Sequence, residues 1–210
     1  IASRGRRDSA WLPTQSDRVD AVHTTRALRR FLEILRGVEH SALLDLGPFC
    51  GSNVTFFGEQ LSCRVVVTDL YAELDSSMRA GGLELLPGAI AATINQPPES
   101  LDGVVCWDVC DYLTHDAATA LSAALLRVLK PGGVAMTLFS TLSFEAPEFT
   151  RFVIDDPDRI RYRPFPSSLT QQRVWLSRDT VRLFAPLHAD ETYLQSHGKR
   201  EVLLRKPAAR

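Results

Sequence analysis

An α/β fold with a doubly wound, mostly parallel sheet that ends in an antiparallel hairpin is what this 210-residue sequence predicts. Three observations carry that reading. Short apolar runs at 42–46, 64–68, 103–107 and 134–139 read as buried strands. Segments with helical periodicity lie between them, as the crossovers of parallel strands require. Two final strand-like runs, 192–195 and 201–204, are joined only by Ser196-His197-Gly198-Lys199, too short for a crossover. They must pair as a hairpin.

Taken in order, residues 1–19 read as an N-terminal arm, with Gly5, Pro13 and many polar groups. Residues 20–36 form a helix, because Leu28, Phe31, Leu32 and Leu35 recur at i, i+3, i+4 and i+7 before Gly37. The strand at 42–46 stops at Gly47-Pro48, and Ser52 caps a helix through Phe56, Phe57 and Leu61. The β-branched strand at 64–68 precedes Asp69. From 73 to 100 breakers crowd the chain: Gly81-Gly82, Pro87-Gly88 and Pro97-Pro98. A helix at 116–129 puts Ala117, Leu121, Ala124, Leu125 and Val128 on one face, and Pro131-Gly132-Gly133 turns it into the next strand. After Ser140 prolines divide the chain, so 141–176 reads as an insertion on the substrate side of a single domain spanning 20–210.

Composition narrows the class further. With 45% hydrophobic and 23% charged residues the chain can bury a core without disulfides or a structural metal. No apolar run approaches the roughly 20 residues of a membrane helix, and no apolar segment follows the basic residues at 4–7. A cytoplasmic protein is expected. Cys50, Cys63, Cys106 and Cys110 form no C-x-x-C and have no histidine at ligand spacing, so neither a disulfide framework nor a zinc site is expected. Residues 1–36 carry eight Arg against four acids, while 37–150 carry four basic residues against fourteen acids. A basic arm can bind an anion, yet no aromatic-basic repeat accompanies it, so nucleic acid is an unfavoured but open partner.

The chemistry concentrates in Leu43-Leu44-Asp45-Leu46-Gly47-Pro48-Phe49-Cys50-Gly51. A strand that ends in D-x-G and turns into a helix lets the backbone approach a ligand at the strand's carboxyl edge. Asp69 ends the next strand, where an acid can accept ribose hydroxyls or simply cap a helix. In order and at this spacing, the two elements indicate a nucleoside-containing ligand.

These residues resemble the class I S-adenosylmethionine-dependent methyltransferases, a Rossmann-like family, over residues 40–140. Leu43 to Gly51 is similar to the family's first motif and Val65 to Asp69 to its acidic second strand. Leu101-Asp102-Gly103-Val104-Val105-Cys106-Trp107-Asp108 resembles the fourth-strand motif, and Leu129-Lys130-Pro131-Gly132-Gly133 the L-K-P-G-G turn before strand five. Two features depart from the pattern. Phe49 replaces the middle glycine of G-x-G-x-G, where a ring would crowd or cover the methionine portion of the cofactor, and the acid after strand three is absent. The resemblance implies S-adenosylmethionine as cofactor, held by Asp45, Gly47, Phe49, Gly51, Asp69, Leu70, Asn95 and Trp107, with S-adenosylhomocysteine as product. It implies in-line transfer of the sulfonium methyl to a small-molecule acceptor, with no metal and with Asp108 as base where the acceptor needs one. Three alternatives stay open: a non-catalytic S-adenosylmethionine-binding protein of the same fold, an RNA or protein methyltransferase, and an NAD-dependent oxidoreductase. Trp107 and Tyr112 read equally as core or as substrate wall.

Overall fold

The computed structural model describes residues 20–80, 82–144 and 146–208; the arm expected at 1–19 lies outside them. They open on strand β1 (Ala21–Thr24) and helix α1 (Ala27–Arg36). Where periodicity predicts helix from residue 20, residues 21–24 are instead extended, because they pair antiparallel with residues 159–162. Helix α1 turns Ala27, Leu28, Phe31, Leu32 and Leu35 into the core, as its spacing demands. Its close seat on the sheet depends on Gly103. A Cβ there would lie 2.8 Å from Leu35 Cδ1 and 2.9 Å from Phe31 Cζ, so any side chain would force the helix away.

The chain then alternates: β2 (Ala42–Asp45), α2 (Gly51–Leu61), β3 (Arg64–Val67), α3 (Leu70–Arg79), α4 (Leu86–Thr93), β4 (Leu101–Trp107), α5 (His115–Val128) and β5 (Leu129–Ser140). Ser52 does not cap α2. The cap position is Cys50, whose Sγ lies 3.2 Å from Ser52 Oγ, and among the described residues no side chain accepts from the helix's first amides. Between Asp69 and Leu101 the described residues form two helices and a short 3-10 turn but no strand, which leaves β3 at the sheet edge. The Lys-Pro-Gly-Gly stretch is part of β5, with Gly132 at φ +79°, a left-handed conformation that suits glycine. Its Lys130 holds both carboxylate oxygens of Asp102, which in turn accepts the Ala42 amide, so this turn fastens the amino ends of β2, β4 and β5.

Two sheets result. The larger has the order β3-β2-β4-β5-β9-β8, its first four strands parallel and the last two, β9 (Lys199–Arg205) and β8 (His188–Leu194), joining antiparallel as the final hairpin. The smaller, β1-β7-β6, is antiparallel throughout and combines β1 with the hairpin of β6 (Glu148–Asp156) and β7 (Arg159–Pro166). Helix α6 (Ser177–Leu183) follows. The segment 141–176 thus supplies β6 and β7, which lie over the carboxyl ends of the parallel strands. Among the described residues, no helix is long and apolar enough to cross a membrane.

Candidate functional site

At the carboxyl end of β2 the chain folds tightly on itself. Asp45 is buried, and its Oδ1 accepts two hydrogen bonds, from the Gly47 amide at 2.8 Å and from Trp107 Nε1 at 2.7 Å. The indole lies directly on the turn: a Cβ at Gly47 would fall 2.6 Å from Trp107 Nε1, so only glycine fits beneath it. Trp107 ends β4 at φ +50°, a left-handed conformation that costs a bulky residue energy and persists only where the surroundings hold it. Here they do. The Phe152 ring of β6 stacks on the indole at 5.1 Å with planes 6° apart. Asn53, in the first turn of α2, donates to the Phe152 carbonyl at 2.8 Å and accepts the Ile154 amide at 2.9 Å.

Burial raises the Asp45 carboxyl to about 6, against the two hydrogen bonds that favour its charged form. A carboxyl raised in the folded state binds its proton more tightly there than when unfolded. Its contribution is therefore complete below the unfolded value near 3.8 and is lost as pH rises through about 6. Asp45→Asn should remove this dependence. Urea unfolding at neutral pH and near pH 4 should show the wild type gaining about 2 kcal/mol on the variant as pH falls.

The other residues predicted for the cofactor divide sharply. Asp69 is exposed at the end of β3 and caps α3, its Oδ1 accepting the Ala72 amide at 2.9 Å. Leu70 is a core residue whose amide donates to the Leu46 carbonyl, so its side chain is out of reach of a ligand. Gly51 is exposed at the start of α2, and Phe49 projects from the turn, 67% exposed. Asn95 is a correction. It follows α4 in a loop tied by Arg127 to the carbonyls of Ile94 and Gln96, at the amino ends of β4 and β5. That is the edge of the sheet opposite Gly47.

Beyond β4 and β5, under the smaller sheet, lies a cavity of about 370 Å³. Its floor is a charged cluster. Lys199 at the start of β9 donates to Asp108 Oδ2 at 2.6 Å, to Ser140 Oγ at 2.8 Å and, more distantly, to Asp111 Oδ2 at 3.4 Å. Tyr71 donates to the other Asp108 oxygen at 2.7 Å, so both oxygens of the expected base are engaged. Burial alone would lower the Lys199 ammonium, but the two carboxylates outweigh it and hold it above its ordinary value. Burial pushes Asp111 up to about 6 even beside the lysine. Across the cavity His23 and His197 stack at 3.8 Å, and Tyr162 OH lies 3.2 Å from His197 Nε2. Burial, with the charges of His23 and Lys199, holds His197 down to about 4. Nothing in the local sequence marks Lys199, His23, His197 or Tyr71; the first three converge only through the hairpin and the β1–β7 pairing.

Residues 44–137 match the family model described as a methyltransferase domain. The match takes in β2 with Asp45 and Gly47, β4, and β5 as far as Thr137. The match covers 94 of the 210 residues, and over them the chain is similar to a methyltransferase domain. No curated protein matches the chain in sequence. Solved structures share its fold at low identity. An S-adenosylmethionine-dependent methyltransferase from Clostridium acetobutylicum superposes with a TM-score of 0.53 at 15% identity, covering 87% of this chain and 92% of that one. Streptomyces venezuelae DesVI gives 0.53 at 17%, covering 87% and 91%. The Burkholderia thailandensis 1,6-didemethyltoxoflavin-N1-methyltransferase, crystallised with 1,6-didemethyltoxoflavin and S-adenosylhomocysteine, gives 0.50 at 16%, covering 87% and 79%.

The cofactor of such a domain is S-adenosylmethionine, and the residues that would hold it at the turn after β2 and at the end of β3 are Asp45, the Gly47 and Gly51 backbone, and Asp69. In the form described here the group does not fit above Gly47. The Trp107 indole occupies that space, Gly47 and Pro48 are buried beneath it, and Phe152 roofs it.

Proposed function

We propose that this methyltransferase acts in the cytoplasm on a small, planar acceptor with a hydroxyl or ring N–H, seated in the cavity between the two sheets. The observation that carries the reading is the cavity itself. It is of a size suited to a small ligand, is walled by the rings of Tyr112, Phe144, Tyr162, His23 and His197, and ends on the few polar groups that could orient one. Lys199, held by Asp108 and Ser140, puts a positive charge at the floor of the cavity, which attracts an acceptor oxygen. Asp108 therefore acts as the residue that positions this lysine. The proton acceptors with capacity to spare are the two imidazoles, neutral at pH 7 and able to take a hydrogen bond from an acceptor's O–H or N–H.

The arginines of the insertion also favour a small molecule over a polymer. Arg159 pairs with Asp156 and Asp158, Arg161 with Asp155, Arg163 with Asp20, and Arg173 lies over the Trp175 ring. A phosphate-gripping arm would keep such charges for its ligand. The structural relative that holds 1,6-didemethyltoxoflavin supports a planar heteroaromatic as the first class to try. The test supplies tritiated S-adenosylmethionine with a panel of small phenols and N-heterocycles, and separately with tRNA, DNA and protein. Label is expected in the small-molecule fraction alone and should disappear in Thr150→Trp, which fills the cavity. Label carried on a polymer would overturn the reading. A second reading, a methyltransferase fold without transfer activity, is favoured by the indole on Gly47; no label with any acceptor would support it.

A further inference from the structure

We infer that Trp107 is a displaceable plug: its indole, roofed by Phe152, occupies the seat above Gly47, and S-adenosylmethionine enters only when β6 lifts and the indole leaves Asp45. This rests on the methyltransferase reading of the Gly47 turn and adds the step by which that turn becomes accessible. Four features of the fold make the plug movable. The indole is tied by one hydrogen bond, to a carboxylate oxygen already shared with the Gly47 amide. The Trp107 backbone is in the left-handed region at φ +50°, a costly conformation that can relax if the end of β4 moves with the departing ring. Its roof belongs to a different sheet, because β6 pairs with β7 and β7 with β1, and none of these strands is laddered to the six-stranded sheet. Asn53 latches the roof to the body, bonded to both the Phe152 carbonyl and the Ile154 amide. The same strand carries Thr150, on the wall of the acceptor cavity, so lifting β6 exposes the cofactor seat and opens the cavity together. A site whose competent form is a minor population binds with its affinity reduced by that fraction, so loosening the roof tightens binding.

The experiment uses S-adenosylhomocysteine as the probe and reads Trp107 directly. Trp11→Phe and Trp175→Phe together leave Trp107 as the only tryptophan of the three. Titration of that protein should shift the indole emission to longer wavelength and raise its quenching by acrylamide as the ring leaves its buried seat. Calorimetry should show Phe152→Ala, checked for fold by circular dichroism, binding the probe about tenfold more tightly than wild type. Saturable binding with Trp107 emission and quenching unchanged would overturn the plug and leave the methyltransferase reading standing. No binding at millimolar probe by wild type, Phe152→Ala and Asn53→Ala alike would overturn both.

Discussion

Lys199→Met should lower the free energy of unfolding at pH 7.5 by about 3–5 kcal/mol, the cost of removing one partner from a buried ion pair. Lys199 is only 12% exposed, and the carboxylates it faces are more buried still, Asp108 at 1% and Asp111 at 0%. Without the ammonium, two like charges share a site that excludes water, and Ser140 Oγ loses a donor. Methionine fills much of the volume, so the loss is electrostatic. The pH dependence follows from the sign of the shift. Asp111 already stands near 6, and losing the lysine must raise it further. A carboxyl raised in the folded state stabilises the fold when protonated and loses that contribution as pH rises through its folded value. The deficit of Lys199→Met should therefore be largest at pH 7.5 and shrink toward pH 5, as urea denaturation at the two values would show. Adding Asp108→Asn should recover part of the loss at pH 7.5. A deficit that is flat with pH would mean that packing, not charge, is what the lysine supplies.

That cluster shows why the site was harder to read than the frame around it. Leu28, Phe31, Leu32 and Leu35 declare a helix within one short window, and the runs before Gly47 and Trp107 declare strands, because periodicity and burial are local signals. The turn at Gly47 was legible for the same reason. Strand β1 was not. Four residues pair with a partner far along the chain, and nothing in Ala21-Val22-His23-Thr24 says so. The triplet Lys199-Arg200-Glu201 misleads more directly, since three consecutive charges at the start of a strand read as solvated. Each is instead pointed at a distant partner. Lys199 reaches Asp108, Arg200 donates to the Trp175 carbonyl and Thr180 Oγ1, and Glu201 accepts from the start of α1. One signal was available. Only three of the 24 basic residues are lysines, and each is bound by buried or half-buried oxygens: Lys130 at Asp102, Lys199 at Asp108, and Lys206 at the carbonyls of Leu126 and Leu129. In an arginine-rich chain, the rare cation was the one to follow.

Trp107 gives the opposite lesson. Its sequence context fits a place beside the cofactor or in the core, and in the structure it is core, packed on the Gly47 turn. Neighbouring residues could not distinguish the two, because the outcome depends on Phe152 arriving from another sheet. Asn95 was misplaced for a related reason. With helices instead of a strand between β3 and β4, the chain at that position returns to the amino edge of the sheet.

The second large effect is expected at Glu201, which is fully buried, with Oε2 accepting the amides of Arg26 and Ala27 at 3.0 Å each. The first amides of a helix have no partner within it, and a carboxylate there meets both the free donors and the positive end of the helix dipole. Glu201→Ala should cost about 3–5 kcal/mol, because each buried amide left without an acceptor costs about 1–3 kcal/mol. Helix α1 would also lose the tether that seats Phe31 and Leu35 against Gly103. Glu201→Gln should cost only about 1 kcal/mol, since an amide oxygen can still accept both bonds. Oε1 has no hydrogen-bond partner among the described residues, so the amide nitrogen that replaces it breaks none there. Thermal unfolding separates the two variants: at about 2–4 °C per kcal/mol for a chain of this size, the alanine variant should melt roughly 10 °C below wild type and the glutamine variant within a few degrees of it. Hydrogen exchange then locates the damage. The amides of Arg26 and Ala27 should lose protection first in Glu201→Ala, followed by those of β1, which joins α1 through Thr25 and carries His23 into the cavity. Unchanged protection at Arg26 and Ala27 in that variant would show that Thr25, whose Oγ1 accepts the Leu28 amide at 3.2 Å, is the cap that holds α1.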